Sequence, residues 1–373
     1  MGNRVLASAD PAKAKQYSRT KLGLGIASSA FSFALVLVIV LSGISVELRN
    51  WTLSLASNEY AAVVLFLLAV GIIQSFVTLP IGFYSGFIVE HRYNLSNQTF
   101  GRWVWERVKG LLVGAPLMLA VVLVLYYCLR TYADWWWLPV SIVLTFFSIV
   151  LARIVPTFIM PLFYKFTPIE NGSLKERISN LCNNAGVHIE GIFSFNMSKN
   201  TKKANAGFTG IGKSKRIILG DTLVQEFSEE EIETVFAHEL GHYKHKHILV
   251  GIAVGILSTF VGLYVTSKLY SLSLGWFGFE SISDLAALPL LGLWLSVFGL
   301  VTSPLGNVLS RKHEREADRY AVTTTKNKGA FISALRKLAD TNLADPEPHP
   351  LVEFLFYSHP SIARRIALVE SLN

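Results

Sequence analysis

Six stretches of the chain are predominantly apolar for about twenty residues or more, at roughly 22–44, 60–83, 110–129, 136–160, 248–267 and 285–303. Each is long enough as a helix to cross a hydrocarbon core of about 30 Å. Between the fourth and fifth stretches the pattern changes. Residues 171–184 read as a polar helix with Leu174, Ile178, Leu181 and Cys182 on one face, while 192–195, 204–211 and 216–219 alternate or run apolar between Gly and Lys turns, as short strands do. Gly212-Lys213-Ser214 reads as a hairpin turn. The segment 100–110, with Trp103, Trp105, Arg102 and Lys109, reads as an interfacial helix before the third span.

Ser228-Glu229-Glu230-Glu231 is a capping box, and Ile232, Val235, Phe236 and Leu240 follow it at helical spacing. Inside this predicted helix lies His238-Glu239-Leu240-Gly241-His242. Positions i and i+4 share a helix face, so two imidazoles can hold one Zn²⁺ while the glutamate beside the first reaches a water on the metal. Catalytic zinc takes three protein ligands, so a third must come from elsewhere. In Ser310–Ala321, Glu314 and Asp318 stand four residues apart on one face, with Glu316 pointing away. Taken alone, this segment reads more readily as a charged, solvated face than as a ligand and its supporting carboxylate. His313 adjoins Glu314 but projects about 100° away around the helix, which favours Glu314 as the donor. His245 and His247 read as juxtamembrane charge at a basic helix end.

H-E-L-G-H, the later S-R-x-x-E-x-x-A-D, and Ser358-His359-Pro360 followed by Arg365 together resemble the type I CAAX prenyl protease family of integral-membrane zinc metalloproteases. The likeness extends to Asn205-Ala206, to 216–223 and to 94–99, and spans nearly the whole chain. The resemblance implies one Zn²⁺ per chain held by His238, His242 and Glu314, and Glu239 as the base that activates water. It implies Asp318 behind a ligand histidine, Arg365 toward Asp318, His359 toward the substrate carbonyl, and Asn205-Ala206 on an edge strand that holds substrate. It implies a peptide or prenylated-peptide substrate, with membrane-protein quality control as the alternative role. Eukaryotic members have seven membrane helices. The first has no counterpart among the six stretches here, which points to a prokaryotic-type member in the inner membrane rather than the endoplasmic reticulum.

The fold class expected is mainly α: a polytopic membrane protein with about six transmembrane helices and a cytosolic zinc metalloprotease domain containing a small β-sheet. The expected divisions are 1–163 with four spans, 164–247 with the H-E-x-x-H helix, 248–303 with two spans, and 304–373 completing the site. A hydrophobic content of 51% and a mean hydropathy of +0.43 agree with membrane residence. The net charge of +8 is explained by Lys and Arg beside the spans and in the cytosolic segments, which leaves no case for a nucleic-acid partner. Buried charges within the spans, which a transporter would use, are few: Gln74, Arg153 and Asn307 are the polar exceptions. Two cysteines, Cys128 and Cys182, exclude a disulfide framework. Leu6 stands where a myristoylation signal has Ser or Thr, and the first span is too long for a signal peptide. Oligomeric state is not legible.

Lys and Arg concentrate in alternate connections. Arg4, Lys13, Lys15, Arg19 and Lys21 precede the first span, and Arg92, Arg102, Arg107 and Lys109 lie between the second and third, whereas the opposite connections carry only Arg49, Arg130 and Lys268. By the positive-inside rule both termini, and both halves of the site, face the cytoplasm. Cysteines placed at Leu55 and Gly275 should therefore react with an impermeant thiol reagent from outside, and those at Asn200 and Asp345 only after the membrane is opened. Labelling of position 200 in intact cells would overturn the topology.

Overall fold

In a computed structural model, residues 10–169, 172–209 and 216–372 are described. Six helices are long and apolar enough to cross a membrane, within Pro11–Leu41, Glu59–Arg92, Phe100–Trp135, Trp137–Phe163, His247–Phe277 and Leu285–Thr325. They fall where the hydropathy pattern puts them and extend beyond it. The predicted interfacial helix at 100–110 is not separate: Phe100–Tyr132 is one continuous helix, started by the Thr99 hydroxyl accepting from the Arg102 amide. An amphipathic helix, Ile44–Leu55, lies between the first two spans where none was expected.

The spans are packed together at their two ends. At one end Val63, Phe66, Leu129, Trp136, Tyr270 and Leu291 belong to a buried apolar cluster. At the other, the Glu90 carboxylate accepts from the Tyr17 hydroxyl at 2.6 Å and pairs with Lys21 at 2.9 Å and Lys203 at 3.0 Å. Between these ends, in 18–38, 67–88, 104–125, 142–163, 248–261 and 294–310, no residue is buried. A solid bundle would bury one stripe of every helix, so the middle stretches are packed less closely than the ends, although Gln74 Nε2 donates to Ser32 Oγ at 2.6 Å between the first two spans.

The water-soluble part sits on the Glu90 end. Its four-stranded sheet runs in the order β1-β2-β4-β3, with β1 Phe166–Pro168, β2 Gly191–Phe195, β3 Ala206–Thr209 and β4 Arg216–Gly220. Strand β2 pairs parallel with β4, and the two outer strands pair antiparallel. Strand β1 had not been expected, being only three residues long. The expected turn at 212–214 lies outside the described residues. Helix Ser173–Asn184 packs its predicted face, Leu174, Ile178, Leu181 and Cys182, into a core shared with Ile217, Leu219, Phe236 and Phe331.

The motif helix, Glu229–Lys244, begins with the expected box: Ser228 Oγ accepts from the Glu231 amide at 3.3 Å and Glu231 accepts from the Ser228 amide at 2.8 Å. Ile232, Phe236 and Leu240 are buried beneath it. Its opposite partner is the long helix Leu288–Thr325. The two come into backbone contact at Gly241, where an added methyl would stand 3.0 Å from Ala317 Cα and 3.1 Å from Tyr320 Cβ. Only glycine permits that approach without displacement. Gly241→Ala should cost about 1–3 kcal/mol by overpacking and lower the unfolding temperature in detergent, whereas Gly251→Ala, with open space around it, should not. Equal thermal stability of the two variants would show that the helices do not need this closeness.

Candidate metal centre

The crossing brings three donor atoms together from helices about 75 residues apart in sequence. His238 Nε2 lies 3.2 Å from His242 Nε2 and 3.3 Å from Glu314 Oε2, and His242 Nε2 lies 3.3 Å from Glu314 Oε1. Donors held about 2.0–2.1 Å from a tetrahedral zinc are spaced about 3.3–3.4 Å apart, which is the spacing of the two ring nitrogens from each other and of each from the carboxylate oxygen that faces it. Glu314 Oε2 is buried and accepts no hydrogen bond. A buried carboxylate oxygen without a donor, 3.3 Å from an imidazole nitrogen, fits a cation.

Each expected neighbour can be placed. Asp318, wholly buried, lies with Oδ1 2.8 Å from His238 Nδ1, the ring nitrogen turned away from the triangle. Arg365, also buried, donates to both oxygens of Asp318, from Nε at 2.9 Å and Nη2 at 2.6 Å. Burial opposes charge on His238, but Asp318 and Glu314 outweigh it and push the imidazole up to about 9. Glu239 is not in the triangle. It lines the adjoining cleft, where burial raises its carboxyl pKa against the pull of His238 and His242. His359 is exposed to the same cleft, its Nε2 3.3 Å from Glu314 Oε1.

The cleft has a volume of about 530 Å³ and one wall made by Asn205 and Ala206, where β3 forms the sheet edge. The start of that edge is held in two ways. Lys203 Nζ bonds the Tyr17 hydroxyl at 2.9 Å as well as Glu90, tying it to the first two spans. The Asn342 side chain accepts from the Ala204 amide at 3.2 Å and donates to the Ala204 carbonyl at 3.3 Å, as a neighbouring strand would.

Some of this arrangement was not legible. Reading His247 as juxtamembrane charge was wrong: it is buried, with Nδ1 3.0 Å from His242 Nδ1 and Nε2 2.9 Å from Glu316 Oε2. Glu316 does point away from the triangle, as expected, but toward a partner. His313 stacks flat on His247, with centroids 4.0 Å apart, and does not join the donors. Arg311, buried, donates to the carbonyls of Glu353 and Tyr357 and so fixes the helix Pro350–Phe356 that leads into His359. Arg311 belongs to the S-R-x-x-E-x-x-A-D motif but had no role assigned, and Asn342 carried no signal in the sequence, because each acts on backbone distant along the chain.

An H-E-x-x-H helix crossed by a carboxylate helix at the mouth of a membrane domain defines a membrane-embedded metallopeptidase. Residues 168–373 match the model of peptidase family M48, and residues 3–165 match that described as CAAX prenyl protease N-terminal, five membrane helices. The chain belongs to peptidase family M48 and is a multi-pass membrane metalloprotease. It is similar to an uncharacterized metalloprotease, YhfN, of Bacillus subtilis, at 35% identity over 96% of this chain and 85% of that protein. It is 30% identical to CAAX prenyl protease 1 of Saccharomyces cerevisiae, over 88% of this chain and 77% of that protein. The crystal structure of S. mikatae Ste24p superposes with a TM-score of 0.84 at 27% identity, covering 96% of this chain and 88% of that one.

Arg365 and Arg364 offer a contrast of place. Arg364 is more than half exposed and pairs with Glu353 at 3.1 Å, whereas Arg365 is enclosed against Asp318. Losing a group that holds a ligand's partner typically costs about 10- to 100-fold in activity or metal affinity. Arg365→Ala should show that loss at matched metal content, and Arg364→Ala much less. Equal losses would mean that a basic C-terminal helix suffices.

Proposed function

We propose that the chain is a zinc endopeptidase that cuts extended peptides at the cytoplasmic membrane face, with prenylated C-terminal CAAX segments as its substrate class. The observation that carries this reading is the donor triangle opening into a cleft that has a sheet edge along one wall and the ends of the membrane spans beside it. His238, His242 and Glu314 hold the ion. The chemistry zinc supplies there is polarisation of the scissile carbonyl and acidification of a water.

The remaining work belongs to side chains. The substrate backbone adds to the β3 edge at Asn205-Ala206, which aligns main chain without reading much sequence. Glu239 takes a proton from the attacking water and returns it to the leaving amine, a task suited to a carboxyl whose pKa burial raises. His359 donates to the carbonyl oxygen as it gains charge. Asp318, held by Arg365, accepts from His238 Nδ1 and keeps its Nε2 free for the ion. Apolar side chains in the cleft, including Val235, Leu335, Leu338 and Phe356, suit aliphatic positions of the substrate. The charge alternation, together with the bacterial relative, supports a prokaryotic inner membrane with both termini cytoplasmic.

Glu239→Ala should retain near-stoichiometric zinc and lose turnover, while His238→Ala should lose both. Loss of metal from Glu239→Ala as complete as from His238→Ala would remove it as the base. Given a farnesylated CAAX peptide and its unprenylated twin, wild-type protein should cleave the first in preference. Equal cleavage of both would favour a quality-control protease instead.

A further inference from the structure

The chain reverses direction directly after the motif helix. His245 ends the helix, Lys246 takes a left-handed conformation with φ 58°, and the next helix starts at His247. This turn folds the His247 ring back beneath His242 instead of carrying it along the helix face. The ring is then fixed on two sides. Its Nε2 meets Glu316 Oε2 at 2.9 Å, and its plane lies 8° from that of His313. Its Nδ1 lies 3.0 Å from His242 Nδ1.

These distances admit one arrangement of protons when His242 Nε2 is a ligand. That nitrogen must present its lone pair to the ion, so the proton of neutral His242 sits on Nδ1. The Nδ1–H can only donate to His247 Nδ1, which must then be the bare nitrogen of its ring. The His247 proton is therefore on Nε2, where it donates to the Glu316 carboxylate. Each atom in the chain has one compatible role. His238 ends directly on a carboxylate, Asp318, and His242 reaches one through an interposed imidazole.

We propose that His247 and Glu316 are positioning residues of the metal centre, fixing the tautomer and ring orientation of His242 and thereby setting the affinity for the ion. The Glu316 carboxylate polarises His247, which becomes a stronger acceptor for His242 and makes His242 a more basic ligand. The inference rests on the assignment of His238, His242 and Glu314 as ligands.

The test is Zn²⁺ affinity, measured by chelator competition on the purified full-length protein in detergent micelles. His247→Phe keeps a planar ring for His313 to stack on but offers no acceptor, and should weaken Zn²⁺ binding about 10- to 100-fold. His247→Gln offers an amide oxygen to the His242 Nδ1–H and should recover part of the loss, which a purely packing role would not allow. His247→Phe that is folded by circular dichroism and binds Zn²⁺ like wild type overturns the proposal, as does His247→Gln no better than His247→Phe. If His247→Phe does not fold, Glu316→Leu decides. That side chain is only partly buried, and its removal should weaken binding in the same direction, so unchanged affinity overturns the proposal. His238→Ala is run in parallel: if it binds Zn²⁺ as tightly as wild type, the ligand set itself is wrong and the relay falls with it.

Discussion

The donor triangle exists because two helices cross with nothing between their backbones. Gly241 lets the motif helix settle on Ala317, and every residue of the site is placed with respect to that contact. His238 and His242 flank Gly241 on one helix, and Glu314 and Asp318 flank Ala317 on the other. An offset of a few tenths of an ångström at the crossing would lengthen both edges that join the histidines to Glu314. The capping box and the apolar residues beneath the motif helix fix its position from the sheet side, and Arg365 clamps Asp318 from the C-terminal helix Ile362–Ser371.

The charges around the triangle are graded by depth. Asp318 and Arg365 neutralise one another in full burial through two parallel hydrogen bonds, a geometry that offsets much of the cost of dehydrating them. Glu314 is buried without comparable pairing, its nearest guanidinium nitrogen lying 3.9 Å away. The same enclosure that makes Asp318 a fixed support leaves Glu314 with negative charge to spare. Glu239 and His359 border open space, where a reacting group can reach them. Position alone thus separates three carboxylates, Glu314 and Asp318 on one helix and Glu239 on the other.

How much of this could be read in advance depended on how local each signal is. The six spans were legible because hydropathy is a property of contiguous residues. The paired histidines were legible because i and i+4 share a face in any helix. Glu314 and Asp318 had the same spacing, yet nothing local distinguishes a ligand face from a solvated one, and only the resemblance separated them. His247 was misread because Lys246 reverses the chain in a left-handed conformation with no glycine to announce it. Helix Ile44–Leu55 was missed because it lies beside a longer apolar run, and β1 because three residues carry no period. The segment 100–110 was split off because Trp103 and Trp105 beside Arg102 and Lys109 read as an interfacial helix, although helical hydrogen bonding continues through to Tyr132.

The sparse burial along the middle of the spans has a mechanical side. Where helices touch throughout their length, packing resists any change in their mutual tilt. Here the middle stretches are held mainly by their own backbone hydrogen bonds, with Gln74 joined to Ser32 between the first two spans, and the buried joints lie near the ends. Such a frame resembles a cage with two hoops more than a bundle of rods. A thinner or thicker bilayer can be accommodated by leaning of the struts, at small cost per ångström, while the hoop that carries the donor triangle keeps its shape.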